Sequence, residues 1–267
     1  MTKFLNKKSL GQNFLTNEEI GRDIVNLADI QDKNVLEIGP GKGFLTKYLA
    51  EKARKVLAVE IDRNLVENLR RDAINRVSTA RNGNVEIVEG DVLKINLPKL
   101  IEEKNFQKYK VVANLPYYIT SKIIRLFLET KYPPAEMILM VQKEVGERIV
   151  ALDGKESILS ISVKFYAEPE ILFDVLRENF EPAPVVDSAV IKIKRKEKIP
   201  NVDINKFFSL VRAGFSAKRK MLINNLSSSC QTTRAGLLLA YEKAGLEPTV
   251  RAEKLSVEDW VELYNLF

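Results

Sequence analysis

Between residues 34 and 141, apolar runs alternate with amphipathic stretches, and that rhythm leaves few architectures open. Asn34–Ile38, Lys55–Ile61, Asn84–Val88, Lys110–Ala113 and Glu136–Val141 are short, apolar and rich in β-branched residues, as buried strands are. Phe44–Ala53, Leu65–Val77 and Ser121–Glu129 lie between them with helical character. Strand and helix in alternation predict a parallel sheet with helices on both faces. Open sheets of this kind bind ligands just beyond the carboxyl ends of their strands. Residues at those ends are therefore the first candidates for a site.

Elsewhere the pattern changes. Thr16-Asn17-Glu18-Glu19 offers a cap and an acidic first turn for a helix over Ile20–Ala28. Lys143–Ala151 reads as a helix, Ser157–Ala167 as a strand and Ser188–Lys194 as an alternating strand. Phe180-Glu181-Pro182-Ala183-Pro184-Val185-Val186 reads as a stiff loop, because each proline also biases the residue before it toward extended geometry. A charge run meeting Ile199-Pro200-Asn201 marks a boundary, and helices are expected over 205–215, 219–226, 234–244 and 257–267. Two domains are expected, residues 1–197 and 198–267, the second all-α.

The fourth strand ends in Asn114-Leu115-Pro116-Tyr117, which suits the activation of an amino group on an aromatic ring. Such a nitrogen is a poor nucleophile because its lone pair is delocalised. The Asn114 side-chain oxygen and a main-chain carbonyl of Leu115 or Pro116 would each accept one N–H, drawing the nitrogen toward tetrahedral geometry. Pro116 stiffens the backbone and Tyr117 offers a ring for a base to stack on. The plainer alternative is an Asn-Pro turn with a core tyrosine.

Other strand ends carry acceptors too. Glu37-Ile38-Gly39-Pro40-Gly41-Lys42-Gly43 joins the first strand to the first helix, and its glycines let the backbone approach a ligand closely. The G-x-G-x-G spacing argues against a dinucleotide pyrophosphate clamp. Glu60 ends the second strand, where a carboxylate suits the two hydroxyls of a ribose. Asp91 follows the third and suits an exocyclic adenine N–H. A solvated strand end and a helix cap are the structural alternatives for these two carboxylates.

The glycine turn, Glu60, Asp91 and Asn114-Leu115-Pro116-Tyr117 resemble class I methyltransferases that use S-adenosylmethionine to modify adenine N6. More narrowly, the chain resembles the ribosomal RNA adenine dimethyltransferase family. Its nearest likeness is to the branch that dimethylates two adjacent adenosines in the 3′-terminal hairpin of small-subunit (16S) ribosomal RNA. The matching stretches include Gly11-Gln12-Asn13-Phe14-Leu15, Val141-Gln142-Lys143-Glu144-Val145, Asn179–Val190 and the basic Lys218-Arg219-Lys220. The resemblance implies a Rossmann-like α/β sheet with a small helical C-terminal domain, with S-adenosylmethionine as cofactor. It places Asn13, Leu15, Gly39, Gly41, Glu60, Asp91 and Asn114 at or near the cofactor, and Phe180 on the target base opposite Tyr117. Its expected partner is small-subunit ribosomal RNA within an assembling 30S particle, met by a monomer. Two kinds of rival remain. One is the resistance-type methylation of large-subunit RNA, or adenine methylation of DNA. The other is a non-catalytic assembly or transcription factor on the same fold.

Charge and composition support an RNA partner and narrow the chemistry. Residues 190–267 hold 14 of the 42 Lys and Arg but only 8 of the 36 Asp and Glu, so the whole net charge of +6 lies there. A basic appendage on a neutral body points to an anionic partner, most often nucleic acid. Lys7, Lys8, Arg212, Lys218, Arg219 and Lys220 are the expected RNA contacts; a merely solvated helix is the alternative. With no histidine and the single Cys230, triad catalysis and zinc sites built on Cys and His are excluded, and no metal is expected. Methyl transfer needs no histidine, because attack on a sulfonium leaves an acidic ammonium-like nitrogen that loses its proton readily. No run approaches the length of a membrane span and the first residues lack a signal-peptide pattern, so a cytoplasmic protein is expected.

Overall fold

The computed structural model describes residues 13–76, 83–228 and 233–267. In chain order the first half forms β1 (Phe14–Leu15), α1 (Glu18–Leu27), β2 (Asn34–Ile38), α2 (Phe44–Lys52), β3 (Lys55–Glu60), α3 (Arg63–Arg76), β4 (Val85–Glu89), α4 (Leu97–Glu103), β5 (Lys110–Asn114), α5 (Thr120–Glu129) and β6 (Glu136–Gln142). There follow α6 (Lys143–Val150), α7 (Ile158–Tyr166), β7 (Ala167–Val175), β8 (Phe180–Glu181), β9 (Ser188–Arg195), α8 (Ile204–Gly214), α9 (Leu222–Ser227), α10 (Arg234–Lys243) and α11 (Val257–Asn265). Every helix and strand expected between residues 34 and 142 is present to within a few residues.

The main sheet has the order β4-β3-β2-β5-β6-β9-β7. The strands β4, β3, β2, β5 and β6 pair in parallel, whereas β9 runs antiparallel to β6. All five residues of β2 are buried, the polar Asn34 and Glu37 among them, as in a strand covered on both faces. From β2 the chain steps outward through β3 and β4, then returns to lay β5 on the other flank of β2. That reversal opens a crevice at the carboxyl ends of β2 and β5, the switch point where open α/β sheets hold ligands.

One element differs from expectation in kind. Residues 158–166 form α7 rather than a strand. Ser157 caps the helix: its side chain accepts from Ser160 N at 3.1 Å, and Ser160 Oγ accepts from Ser157 N at 2.6 Å. Serine in place of the usual Glu or Gln at the third position hides this capping box in the sequence. The alternating Ile161, Val163 and Phe165 suggested a strand because all three are buried, and a helix buried on most sides loses its periodicity. The strand lies downstream instead, as β7. It occupies the sheet edge, where Pro169 costs no ladder bond.

Two compact units result. One holds the residues up to Gly146 together with Glu168–Arg195; the other holds Glu147–Ala167 and Lys196–Phe267. The stretch 147–167, expected in the first domain, thus groups with the C-terminal helices. Its Phe165 packs against Phe207 and Phe208, with ring centroids 4.9 and 5.3 Å away. Four helices follow Arg195 as expected, but α9 begins at Leu222, so Arg219 sits in a turn rather than in a helix.

Candidate active site

The crevice is a cavity of about 760 Å³, within the size range of small-molecule sites. Asn13, Leu15, Gly39, Gly41, Glu60, Asp91, Asn114, Leu115, Pro116 and Tyr117 all line it. Gly39, Glu60, Asp91 and Asn114 are brought together because each lies at or just after the carboxyl end of a sheet strand, and the segment around β1 adds Asn13 and Leu15.

The turn after β2 is open backbone. Gly39 and Gly41 have φ of +65° and +59°, a conformation that side chains rarely adopt. A Cβ on Gly39 would meet nothing within 4 Å, whereas one on Gly41 would come within 2.9 Å of the Phe14 ring. Gly41 is therefore required by packing and Gly39 by conformation alone.

Glu60 is 4% exposed. Its two carboxylate oxygens accept from Gly41 N at 3.1 Å and Asp62 N at 2.9 Å, which fixes the plane of the group and leaves lone pairs for a ligand. Burial pushes its pKa up, while the N–H groups of Asp62, Gly41 and Ile61 pull it down. Asp91 accepts from Leu93 N at 3.0 Å and has Lys94 Nζ at 3.6 Å. Asp91 caps the turn that follows it, whereas the next helix is capped by Asn96, and Asp91 also lines the cavity.

At the end of β5 the backbone holds register with β6 beyond the ladder, through Leu115 N to Met140 O at 3.1 Å. Asn114 Nδ2 donates to Asn13 O at 3.2 Å, and among the described residues its Oδ1 accepts nothing. The amide is thus turned with its oxygen left for a ligand. Of the two main-chain carbonyls considered, that of Pro116 accepts from Ile119 N at 3.2 Å. The Leu115 carbonyl takes no hydrogen bond among the described residues and is the one left available. Tyr117 Oη lies 2.8 Å from Ser188 Oγ, which locks the ring, and burial pushes its phenol up so that it stays neutral at neutral pH.

Phe180 differs from expectation. It is 5% exposed, lies in a core cluster with Leu15, Ile24 and Val175, and does not line the cavity. Strand pairing explains this: β8 runs antiparallel to β1, with Leu15 opposite Phe180 and Phe14 opposite Glu181, and Thr16 N bonds to Asn179 O at 2.9 Å. The ring that would have faced Tyr117 instead pins the N-terminal segment whose Asn13 carbonyl orients Asn114.

Sequence reasoning passed over one ionisable group. Glu37, inside β2, is buried and lines the cavity, with Thr46 Oγ1 donating to its Oε2 at 2.7 Å. Burial, reinforced by the charge of Glu60 and opposed by the Thr46 hydroxyl, pushes its pKa up to about 8. It carries a proton at neutral pH. A carboxylate within an otherwise apolar strand, beside a glycine turn, was the available signal.

The basic residues of the helical unit are surface groups. Arg212, Lys218, Arg219 and Lys220 are all exposed, on the end of α8 and in the turn before α9. Asn225 braces that turn by donating to Gly214 O at 2.6 Å and Ala217 O at 3.1 Å. Lys7 and Lys8 lie outside the described residues. Among the described residues, no group of three or more His, Cys, Asp or Glu is placed to hold a metal ion. No helix among them is long and apolar enough to cross a membrane.

The family model described as ribosomal RNA adenine dimethylase matches residues 3–267. A ribosomal RNA small subunit methyltransferase A of Alkaliphilus metalliredigens is 44% identical over 270 residues, covering 98% of this chain and 91% of that protein. The protein of the same name from Streptococcus sanguinis is also 44% identical, covering 96% of this chain and 90% of its own length. Among solved structures, a dimethyladenosine transferase from Plasmodium falciparum aligns with a TM-score of 0.79 at 28% identity, covering 94% of this chain and 95% of that one. The 23S rRNA methyltransferase ErmE aligns with a TM-score of 0.76 at 26% identity, covering 95% and 99%.

Proposed function

Since the chain belongs to the ribosomal RNA adenine dimethylase family and is an S-adenosylmethionine-dependent rRNA methyltransferase, we propose how its cavity divides the work. The substrate is small-subunit ribosomal RNA, and the products are N6,N6-dimethyladenosines at two adjacent positions of its 3′-terminal hairpin. One arrangement carries this reading: an Asn114 side-chain oxygen and a Leu115 carbonyl, both without donors among the described residues, on consecutive residues at the end of β5.

The residues fit the cofactor. Open backbone at Gly39, a fixed buried carboxylate at Glu60 and a second carboxylate at Asp91 match a ligand with a ribose diol and an adenine amine. When bound, S-adenosylmethionine supplies an electrophilic methyl group on a positively charged sulfur. Glu60 would accept the ribose hydroxyls and Asp91 the adenine N–H, while Asn13 and Leu15 close the cavity from the N-terminal side. Asn114 Oδ1 and the Leu115 carbonyl accept the two N–H bonds of the target amine and hold its lone pair toward the methyl group. Tyr117, held by Ser188, presents its ring to the base, and Pro116 keeps the two acceptors at fixed spacing. Phe180 acts indirectly, by holding β1 and so the Asn13 carbonyl. The cationic turn before α9 meets RNA phosphates, with Lys7 and Lys8 as further contacts. In the same reading the enzyme is a cytoplasmic monomer that acts on assembling 30S particles.

Relatives named for the small subunit favour that substrate over the large-subunit alternative, although ErmE shares the fold. The test is to incubate the protein with labelled S-adenosylmethionine and unmodified small subunits, then locate the methylated bases. Label on two adjacent adenosines of the 3′-terminal hairpin is expected. Label only elsewhere in the subunit, or none, would sink the proposal.

A further inference from the structure

Tyr118 is an exposed aromatic at the mouth of the cavity, and nothing in the chemistry above uses it. It is 61% exposed and lines the cavity beside Tyr117, yet among the described residues it makes no hydrogen bond or ring contact. Single exposed apolar side chains are ordinary on a protein surface. This one has company. Tyr118 lies in the 3-10 turn just before α5, and Lys122 and Arg125, three residues apart on one face of that helix, line the same cavity. The opposite face, with Ile123, Ile124, Phe127 and Leu128, is buried against the sheet unit and fixes how the helix presents them. Lys122 is exposed and has no partner among the described residues. Arg125 Nε is held by the Glu129 carboxylate at 2.9 and 3.0 Å, which steadies the guanidinium and leaves its terminal N–H groups free. Glu129 offsets one of the two positive charges, so the strip is weakly cationic and its most distinctive group is the ring.

A base brought into the cavity by extrusion drags its neighbours to the cavity mouth, where they are unstacked and lack partners. An aromatic ring flanked by cations is the usual protein answer to an unstacked nucleotide: the base stacks and the phosphates are met by Lys and Arg. We propose that Tyr118 is the stacking platform for the nucleotide adjacent to the target adenosine, and that Lys122 and Arg125 hold the phosphates on either side of it. The inference rests on the RNA-methylating reading of the cavity. It makes Tyr118 a positioning residue for the neighbouring nucleotide, with Tyr117 serving the reacting base.

The test compares wild type, Tyr118→Ala, Tyr118→Phe and the pair Lys122→Ala with Arg125→Ala on unmodified small subunits. S-adenosylmethionine affinity is measured in parallel by calorimetry. Losing one base stack should raise KM for the subunits by about five- to hundredfold in Tyr118→Ala, with a smaller change in kcat. Tyr118→Phe keeps the ring and should restore KM. The double variant should flatten the salt dependence of subunit binding by up to about two units of log–log slope. Cofactor affinity should be unchanged in all three. An unaltered KM in Tyr118→Ala overturns the platform, as does failure of Tyr118→Phe to rescue. Weakened cofactor binding in Tyr118→Ala also overturns it, by showing a structural role. If wild type itself leaves the subunits unmethylated, the functional reading fails first; an active wild type with an indifferent Tyr118 rejects the platform alone.

Discussion

The cavity of the sheet unit and the cationic turn of the helical unit treat polar groups in opposite ways. In the cavity Glu37, Glu60, Asn114 and Tyr117 are committed before any ligand arrives. Glu60 is held by two backbone N–H groups, Asn114 by the Asn13 carbonyl, Glu37 by Thr46 and Tyr117 by Ser188. In the turn before α9 the backbone is braced by Asn225, while Lys218, Arg219 and Lys220 extend into solvent. Bonds made in advance set direction, so that little reorganisation remains when charge develops. Exposed cations set attraction, which reaches phosphates over a Debye length and is screened by salt. Chemistry and recognition should therefore respond to different perturbations.

The largest expected effect falls on the cavity. Asn114→Ala removes the side-chain acceptor proposed for the target amine and should lower turnover by roughly 10²–10³. Cofactor affinity should fall much less, and the loss should not depend on salt. Near-normal turnover on small subunits would break the division at its centre. Next comes Glu60→Ala, which should weaken S-adenosylmethionine binding by about 1.5–3 kcal/mol, the worth of hydrogen bonds to a charged acceptor. RNA affinity measured without cofactor should barely move. A calorimetric titration that finds cofactor affinity unchanged rejects the assignment.

Glu37 sharpens the comparison through pH. In the folded protein it keeps its proton up to about pH 8, whereas the unfolded chain loses it near 4.5. Between those values the unfolded state binds fewer protons, so this group makes the wild type less stable as pH rises. Glu37→Gln keeps an acceptor for the Thr46 hydroxyl and cannot ionise. It should gain on the wild type by roughly 1.4 kcal/mol for each pH unit in that window. Urea unfolding of both proteins at pH 5 and pH 8 reads the difference, and parallel trends would show that Glu37 is not a buried acid.

The smallest effect should come from the turn, and it should shrink further as salt rises. Replacing Lys218, Arg219 and Lys220 together with Ala should weaken RNA binding at physiological salt. The slope of log affinity against log salt should flatten by up to about one unit per lost phosphate contact. S-adenosylmethionine binding should be untouched. Equal slopes and equal affinities in a salt titration would leave the turn with no part in recognition.

The two regions also differ in how openly the sequence displays them. Strand ends such as Glu60, Asp91 and Asn114 can be read directly, because β-α alternation places every one of them on the same edge of the sheet. The alternation failed at Ser157–Ala167, where a helix buried on several sides imitates a strand and its cap lacks the usual partner residue. Glu37 shows in the sequence only as a carboxylate within a strand beside a glycine turn, and that it is buried and faces the cavity is decided by the assembled sheet.

By itself, the sequence determined the sheet, the position of the crevice, the amine-activating strand end and the location of the excess positive charge. Each of these depends on residue order and local pattern over a few turns or strands. Only tertiary structure decided which acceptors remain available. The Pro116 carbonyl is taken by Ile119, leaving that of Leu115, and Asn114 is turned by a carbonyl 101 residues away in the chain. Pairing of β1 with β8 buried Phe180 in the core, away from the cavity where the sequence reading places it. Hydrogen bonds and burial between distant segments have no local signature, because their partners come together only when the sheet is assembled.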